Sequence, residues 1–399
     1  MPGALKIDVT AVADRGDVDP DEILARARSL VPALRSRAAE TEKAREVPSD
    51  TMDDLRRLGL MRLLQPRRFG GLQSSVPLFS RVVEELAYGC ASSAWVYAVF
   101  GEHAWIIASM PEQAQIDVWG RDPQAVASSS LVPRAVATRV SGGYRLSGRY
   151  PFSSGCGRAQ WAIVGTLGEQ RGEDERYMLV PLSDIEIVDD WDVLGLRGTG
   201  SKTLALHDVF VPEHRTVLLN DLLRGTTPGR LVHPDYPLVG APRLYLCIYS
   251  QVPVAITLGH RALDAVATTL RTRLARAARK VAESEVVQLK LAQSAAEIES
   301  ATLIFRARRQ ESMDAVNAGR AISVEDVSAR RRDVAFVYQL IRGAVERLCD
   351  IAGTLWVYDA NPLQAMLRDV LTVSTHGIVN PHNAMIPDGR LRLGLPAEA

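Results

Sequence analysis

Two histidines lie where an imidazole can take part in chemistry. His103 lies inside an apolar stretch, and His376 lies where a predicted helix ends. Histidine is the side chain whose ordinary pKa is closest to neutrality, so either ring can act as a base at physiological pH. Structural roles are open as well, because His103 can be a hydrogen-bonded core residue and His376 can interact with a helix dipole. His382 is a rival to His376, since it lies nearby in the sequence.

Several other kinds of site are excluded by their motifs. The segment Gly195–Thr203 resembles a phosphate-binding loop, but Ser201 stands where that loop needs lysine. The sequence has no Gly-x-Gly-x-x-Gly after an N-terminal strand and no Gly-x-Ser-x-Gly. Its histidines and cysteines are not clustered as zinc ligands are. We therefore expect neither a bound NADH as the protein's own reductant nor metal catalysis.

Composition and charge narrow the class further. The chain has 399 residues, and its 47 Lys+Arg balance its 47 Asp+Glu, so no basic excess indicates a nucleic-acid partner. No run of about 18 apolar residues predicts a membrane span, and the polar N-terminus lacks the apolar core of a signal peptide. The cysteines are widely separated, which favours reduced thiols in a cytoplasmic protein: Cys90, Cys156, Cys247 and Cys349.

The first half of the chain changes its hydrophobic period once. After a flexible N-terminus at residues 1–20, residues 21–120 show the spacing of helices, including Ser49–Leu58 and an apolar, buried one at Ser92–Met110. Residues 121–225 change to the period of strands, with Gly142 and Gly143 predicting a hairpin turn. The predicted strands are Ala127–Leu131, Val136–Val140, Tyr144–Leu146, Trp161–Gly165, Tyr177–Val180 and Leu204–Val211.

Residues 226–399 return to the helical period in long segments. The predicted helices are Leu244–Arg279, Glu283–Ala318, Val324–Ile351 and Pro362–Thr375. Long helices of this kind form antiparallel bundles, and the polar segment Asn220–Asp235 is predicted to be a connecting loop. The expected fold is therefore mainly α with an inserted β domain: an N-terminal helical domain, a central β-barrel domain and a C-terminal four-helix bundle.

Three blocks of sequence carry a family resemblance. They are Arg149–Cys156 with Trp161, Asp190–Ser201, and Arg368-Asp369 followed by His376. Together with the order of domains, they resemble the group D flavin monooxygenases, the oxygenase components of two-component systems built on the acyl-CoA dehydrogenase fold. That group includes p-hydroxyphenylacetate hydroxylase, the phenolic secosteroid hydroxylase and dibenzothiophene monooxygenase.

A departure from the acyl-CoA dehydrogenases separates oxygenation from dehydrogenation. His376 occupies the place of the glutamate that removes a proton from a thioester in those enzymes, and the alternative position, Gln251–Thr257, contains no acid. Proton abstraction therefore has no evident carboxylate base. The resemblance instead implies reduced FMN or FAD, made by a separate NAD(P)H–flavin reductase. It also implies O2 as co-substrate, a C4a-hydroperoxyflavin, an aromatic and phenolic substrate, and a homotetramer.

The resemblance also implies roles for individual residues. His376 matches a base or hydrogen-bond partner of the substrate hydroxyl, His103 a second polar wall of the cavity, and Ser154, with Ser153 as the alternative, the partner of flavin N5. Further cofactor contacts are expected from Ser129, Ser130, Trp161, Gly198, Thr199, Gly200, Ser201, Arg271 and Arg273. The serines can also be ordinary turn or strand residues, and the arginines can belong to a solvated helix face.

Alternative functions stay open at this stage. The same scaffold supports N-oxygenation of amines and S-oxygenation of thiophenes. An acyl-CoA dehydrogenase-like flavoenzyme is another enzyme class, and a helical scaffold that has lost its flavin is the non-catalytic alternative.

Overall fold

The N-terminal domain consists of helices. A computed structural model describes residues 19–168, 174–274 and 280–397, so the predicted flexible segment lies almost wholly outside the described residues. The first helix is capped by Asp19, whose carboxylate accepts a hydrogen bond from the Asp21 amide (3.0 Å). The helices are α1 Pro20–Ala44, α2 Ser49–Arg57, α3 Val76–Ala87, α4 Ala91–Ala108 and α5 Glu112–Trp119. Every residue of α4 is buried, as its apolar sequence predicts.

The central β domain consists of two four-stranded sheets. Their strands are β1 Ala127–Val136, β2 Thr138–Val140, β3 Gly143–Ser153, β4 Trp161–Leu167, β5 Arg176–Pro181, β6 Glu186–Val188, β7 Lys202–Pro212 and β8 Thr216–Leu218. One sheet has the order β1-β4-β5-β8 and the other β2-β3-β7-β6. Buried residues from both sheets, Tyr150 and Val164 among them, share a separate apolar core.

The predicted hairpin is confirmed. Val140 pairs with Gly143, and Gly142 has a φ of 80°, a conformation that glycine adopts without strain. The prediction of a single strand at Val136–Val140 is wrong, because β1 ends at Val136 in one sheet and β2 begins at Thr138 in the other.

The C-terminal region is a helical bundle. Its helices are α6 Leu219–Arg224, α7 Gly229–Val232, α8 Arg243–Leu246, α9 Val252–Thr272, α10 Glu285–Asn317, α11 Val324–Ala352, α12 Pro362–Val373 and α13 Pro381–Arg392. Helices α9 and α11 pack against each other and against both α10 and α12, and α13 packs on α11. The predicted order of helices, β domain and bundle is therefore confirmed. None of the described helices is both long and apolar enough to cross a membrane.

Two predictions for this region are wrong. The predicted helix Leu244–Arg279 is divided into α8 and α9, and Pro253, which lacks an N–H, stands in the first turn of α9. Residues 275–279 of that prediction lie outside the described residues. The segment Asn220–Asp235 is not only a loop, since it contains most of α6 and all of α7, with Gly225 (φ 70°) ending the former.

Candidate active site

A cavity of about 770 Å³ lies where α4, β1, the end of β3 and the segment after α12 meet. Its walls are mainly apolar, with polar groups that converge on it from several elements. Seven of the predicted site residues line it: His103, Ser129, Ser130, Ser154, Thr199, Ser201 and His376. Convergence from such distant parts of the sequence is typical of a ligand-binding site.

His103 is held at both ring nitrogens. Its Nδ1 lies 2.5 Å from the carbonyl oxygen of Ala127, and its Nε2 lies 2.8 Å from Oγ of Ser129. A carbonyl can only accept, so Nδ1 carries the proton and Nε2 accepts from the Ser129 hydroxyl. Burial lowers the pKa of His103, although Glu102 and the Ala127 carbonyl oppose that shift. The ring is therefore a neutral imidazole with a fixed tautomer.

The neighbouring residue forms a buried ion pair. Glu102 lies 2.6 Å from Nη2 of Arg243, and it also accepts hydrogen bonds from Gln251 (2.7 Å) and Ser250 (3.1 Å). Burial alone would raise the pKa of Glu102, but the charge of Arg243, together with His103 and the hydrogen bonds from Gln251 and Arg243, lowers it overall. The sequence analysis missed this pair, although a lone acid in an apolar helix was a signal that it needed a partner.

His376 has a looser environment. It follows α12 by three residues, its ring is exposed to the cavity, and it meets Trp95 edge-on with ring centroids 5.6 Å apart. Its Nδ1 accepts only a long hydrogen bond from the Ile378 amide (3.4 Å), which favours a proton on Nε2. The surrounding protein lowers the pKa of His376, chiefly by desolvation. The rival His382 is not among the described lining residues.

A chain of hydroxyl groups lines the cavity on the other side of Trp95, whose ring contacts His376 and whose indole nitrogen reaches Ser154. Oγ of Ser154 lies 3.2 Å from the Trp95 indole nitrogen and 2.7 Å from Oγ of Ser201. Ser201 in turn lies 2.7 Å from Oγ1 of Thr199, which donates to the Leu196 carbonyl (2.8 Å). The serine chosen as the flavin partner is therefore part of a network and not an isolated turn residue.

Two glycines of the predicted flavin turn lie behind the cavity wall. A side chain at Gly198 would meet Thr41 at 2.4 Å, so this glycine permits close packing against α1. Gly200 has a φ of 52°, in the left-handed region that favours glycine. Neither residue is among those that line the cavity.

Four further predicted contacts also lie away from the cavity lining. Ser153 is fully buried, and the Arg215 guanidinium covers the Trp161 ring at 5.1 Å. Arg273 donates instead to the Ala352 carbonyl at the end of α11, and Arg271 is exposed near the end of α9. Within this single chain, the expected arginine pair is therefore separated from the cavity, because its helix runs away from it.

The chain is similar to known proteins over nearly its whole length. Residues 20–121 match the family described as acyl-CoA dehydrogenase, N-terminal domain, and residues 249–381 match acyl-CoA dehydrogenase, C-terminal domain. The oxygenase subunit HsaA, a flavin-dependent monooxygenase of Rhodococcus jostii (strain RHA1), is 32% identical over 93% of this chain and 98% of that protein.

Two further relatives support the same assignment. The oxygenase component of an FADH(2)-dependent resorcinol hydroxylase from Rhizobium sp. (strain MTP-10005) is 34% identical over 94% of each chain. The structure of XiaF from Streptomyces sp., in complex with FADH2 and glycerol, has a TM-score of 0.87 at 27% identity and covers 95% of this chain and 97% of that one.

Proposed function

The chain belongs to the flavin-dependent monooxygenases built on the acyl-CoA dehydrogenase fold, as an oxygenase component, and we propose that it hydroxylates a phenolic substrate with dioxygen and reduced flavin. The observation that carries the proposal is the set of ionisable groups in the cavity. Glu102 is the only carboxylate among the described lining residues, and Arg243 neutralises it. Among the described lining residues, only His103 and His376 have an ordinary pKa near neutrality, and their neutral imidazoles suit a phenol better than a thioester.

The residues around the cavity fit a flavin. The volume lies within the range of about 300–1,000 Å³ that ligand pockets usually have, and mainly apolar walls with a few hydroxyls suit an isoalloxazine ring. Leu196 has a φ of 51°, and such conformations cluster at ligand sites. Arg134 lines the cavity and is exposed, which supports it as a contact for the flavin phosphate in place of Arg271 and Arg273.

Each side chain has a role that its hydrogen bonds allow. The Ser154 hydroxyl would hold the hydrogen on flavin N5, and the bound reduced flavin would supply the chemistry that transfers one oxygen atom of O2. The Nε2–H of His376 can donate a hydrogen bond to the substrate oxygen, and in the other tautomer the same nitrogen can accept the phenol proton and leave a phenolate. His103 already accepts from Ser129, so a substrate hydroxyl would reach it through the Ser129 oxygen, which still has lone pairs to offer.

The test is to mix the protein with chemically reduced FMN or FAD anaerobically, add oxygen and a panel of phenols, amines and thiophenes, and quantify the products. We expect hydroxylated phenol to replace hydrogen peroxide, and Ser154→Ala to restore peroxide release. Ser153→Ala is the matched control, since its side chain is buried away from the cavity. Release of one peroxide per reduced flavin, with both flavins and every substrate, would contradict the proposal. Oxygenation of amines or thiophenes but not of phenols would contradict the phenolic substrate and indicate an N- or S-oxygenase.

Two partners are part of the proposal. The descriptions of the relatives as oxygenase subunit and oxygenase component support a separate NAD(P)H-dependent flavin reductase. A homotetramer is supported by apolar side chains on the outer face of α10, where Val286, Leu289 and Leu303 are 64%, 70% and 70% exposed. Sedimentation velocity should show a tetramer that Leu289→Lys dissociates, and a monomeric wild-type protein would refute this assembly.

A further inference from the structure

The hydroxyl chain beside Ser154 ends at a group that cannot donate. The last link is the backbone carbonyl of Leu196, which accepts a hydrogen bond from Oγ1 of Thr199 at 2.8 Å. The same carbonyl accepts from the Trp191 indole at 3.4 Å, and the Leu196 amide donates to the Asp369 carboxylate at 2.6 Å. The backbone of Leu196 is thereby fixed on both sides of its Cα, at the amide and at the carbonyl.

That fixed end determines the direction of every bond in the chain. A hydroxyl group has one proton, and Thr199 uses its proton on the Leu196 carbonyl, so Thr199 can only accept from Ser201. Ser201 has then used its proton as well and can only accept from Ser154. Ser154 therefore donates to Ser201 while it accepts from the Trp95 indole, which is a donor only.

One capacity remains at Ser154, and it is a lone pair. A hydroxyl has two lone pairs and one proton, and the Trp95 indole occupies one lone pair while Ser201 takes the proton. A flavin nitrogen N5 carries a hydrogen when the ring is reduced and presents a lone pair when it is oxidised. An acceptor facing N5 therefore matches the reduced ring and opposes the oxidised one.

We propose that Thr199 and Ser201 are positioning residues that fix Ser154 as an acceptor, so that the cavity binds reduced flavin in preference to oxidised flavin. The proposal rests on the proposed function, in which Ser154 faces flavin N5. Two acceptors facing each other leave both unsatisfied, and this lowers affinity for the oxidised ring by about tenfold or more. Ser201 and Thr199 are both buried, so water cannot easily replace either link.

The experiment measures dissociation constants for oxidised and for reduced flavin, the latter under anaerobic conditions, in the full-length protein. In Thr199→Val, the valine side chain has nearly the same shape as threonine but no hydroxyl. The Ser201 hydroxyl then no longer donates to residue 199 and can donate to Ser154 instead. Ser154 can then donate to the oxidised ring, and the ratio of the two constants should fall about tenfold. Thr199→Ser keeps the hydroxyl but loses a methyl group, and it should retain the wild-type ratio. If Thr199→Val acted only through lost packing, Thr199→Ser would change the ratio as well.

Other outcomes separate this inference from the proposed function. An unchanged ratio in Thr199→Val, with an altered ratio in Ser154→Ala, would overturn the positioning role and leave Ser154 beside the flavin. An unchanged ratio in Ser154→Ala would refute the placement of Ser154 itself, and the inference would fall with it. If Thr199→Val melts at a much lower temperature, Ser201→Ala provides the same test, because it also releases the Ser154 proton.

Discussion

The two imidazoles of the cavity differ in how firmly the protein holds them. His103 lies on a fully buried helix, and hydrogen bonds engage both of its ring nitrogens. His376 follows the end of α12, with one long hydrogen bond and one edge-on ring contact. The first ring has little freedom to change its tautomer, whereas the second can adjust to a ligand.

We infer from this difference that His103 has a structural role in the cavity wall and that His376 is the residue that can react. A group whose hydrogen-bonding capacity is used within the protein can act on a substrate only through its partner, here Ser129. A group with an accessible nitrogen can meet the substrate directly. Four predictions test the comparison.

The largest expected effect comes from removing the ion pair next to His103. Arg243→Met leaves the Glu102 carboxylate buried without its counter-charge, which costs about 3–5 kcal/mol of the free energy of unfolding. Chemical denaturation would measure the change. The matched control is Arg342→Met, which breaks a half-exposed pair with Glu346 one helical turn away and should cost less than about 1 kcal/mol.

A double variant makes this prediction more specific. Replacing both members, as Glu102→Gln with Arg243→Met, removes the buried charge and should recover part of the lost stability. If Arg243→Met were as stable as wild type, the part of α4 that carries His103 would not depend on the Glu102–Arg243 ion pair.

The second effect is on activity rather than stability. His376→Gln should lower the rate of phenol hydroxylation about a hundredfold, the size typical of a lost acid–base group, while the melting temperature stays close to that of wild type. His382→Gln is the control, because His382 is exposed and does not line the cavity. If His376→Gln hydroxylated the phenol at the wild-type rate, we would assign the reactive role to Ser129 and His103 instead.

The fold could be predicted well because its signals are local. The apolar sequence of α4 predicts burial, and the glycine turn predicts the β2–β3 hairpin. The break before α9 was missed because one proline at a helix start resembles one inside a continuous helix. Helix α13 was missed because Pro387 lies inside it and its apolar pattern is weak.

Only those site residues that belong to recognisable sequence motifs could be predicted. The two histidines and Ser154 belong to recognisable blocks, and the cavity brings them together. Glu102 and Arg243 are 141 positions apart, so no local pattern joins them. The role of Asp369 is hidden for the same reason, because its partner is a backbone amide of a distant loop, at Leu196.

The third prediction concerns pH. Burial lowers the pKa of His103 below its unfolded value of about 6.5, so the neutral ring contributes stability above that pH. The contribution is lost as the pH falls, because the unfolded chain binds a proton that the folded ring does not, with a slope of at most about 1.4 kcal/mol per pH unit. The difference in the free energy of unfolding between wild type and His103→Gln should therefore become smaller as the pH falls from about 7.5 to about 5.5. The corresponding His376→Gln series should converge less, because the hydrogen bond that favours the neutral ring is 2.8 Å long at His103 and 3.4 Å long at His376. Equal convergence would contradict the comparison.

The smallest effect separates the serines of β1. Ser129→Ala removes the donor to Nε2 of His103 and should cost about 1 kcal/mol of stability. Ser128→Ala is the matched control, because its hydroxyl is buried, has no hydrogen-bond partner within the described chain and does not line the cavity. The two variants should also differ in KM for the phenol, since Ser129→Ala alone exposes the His103 nitrogen to the substrate. A change in KM without a change in stability would mean that Ser129 serves the substrate rather than the His103 ring.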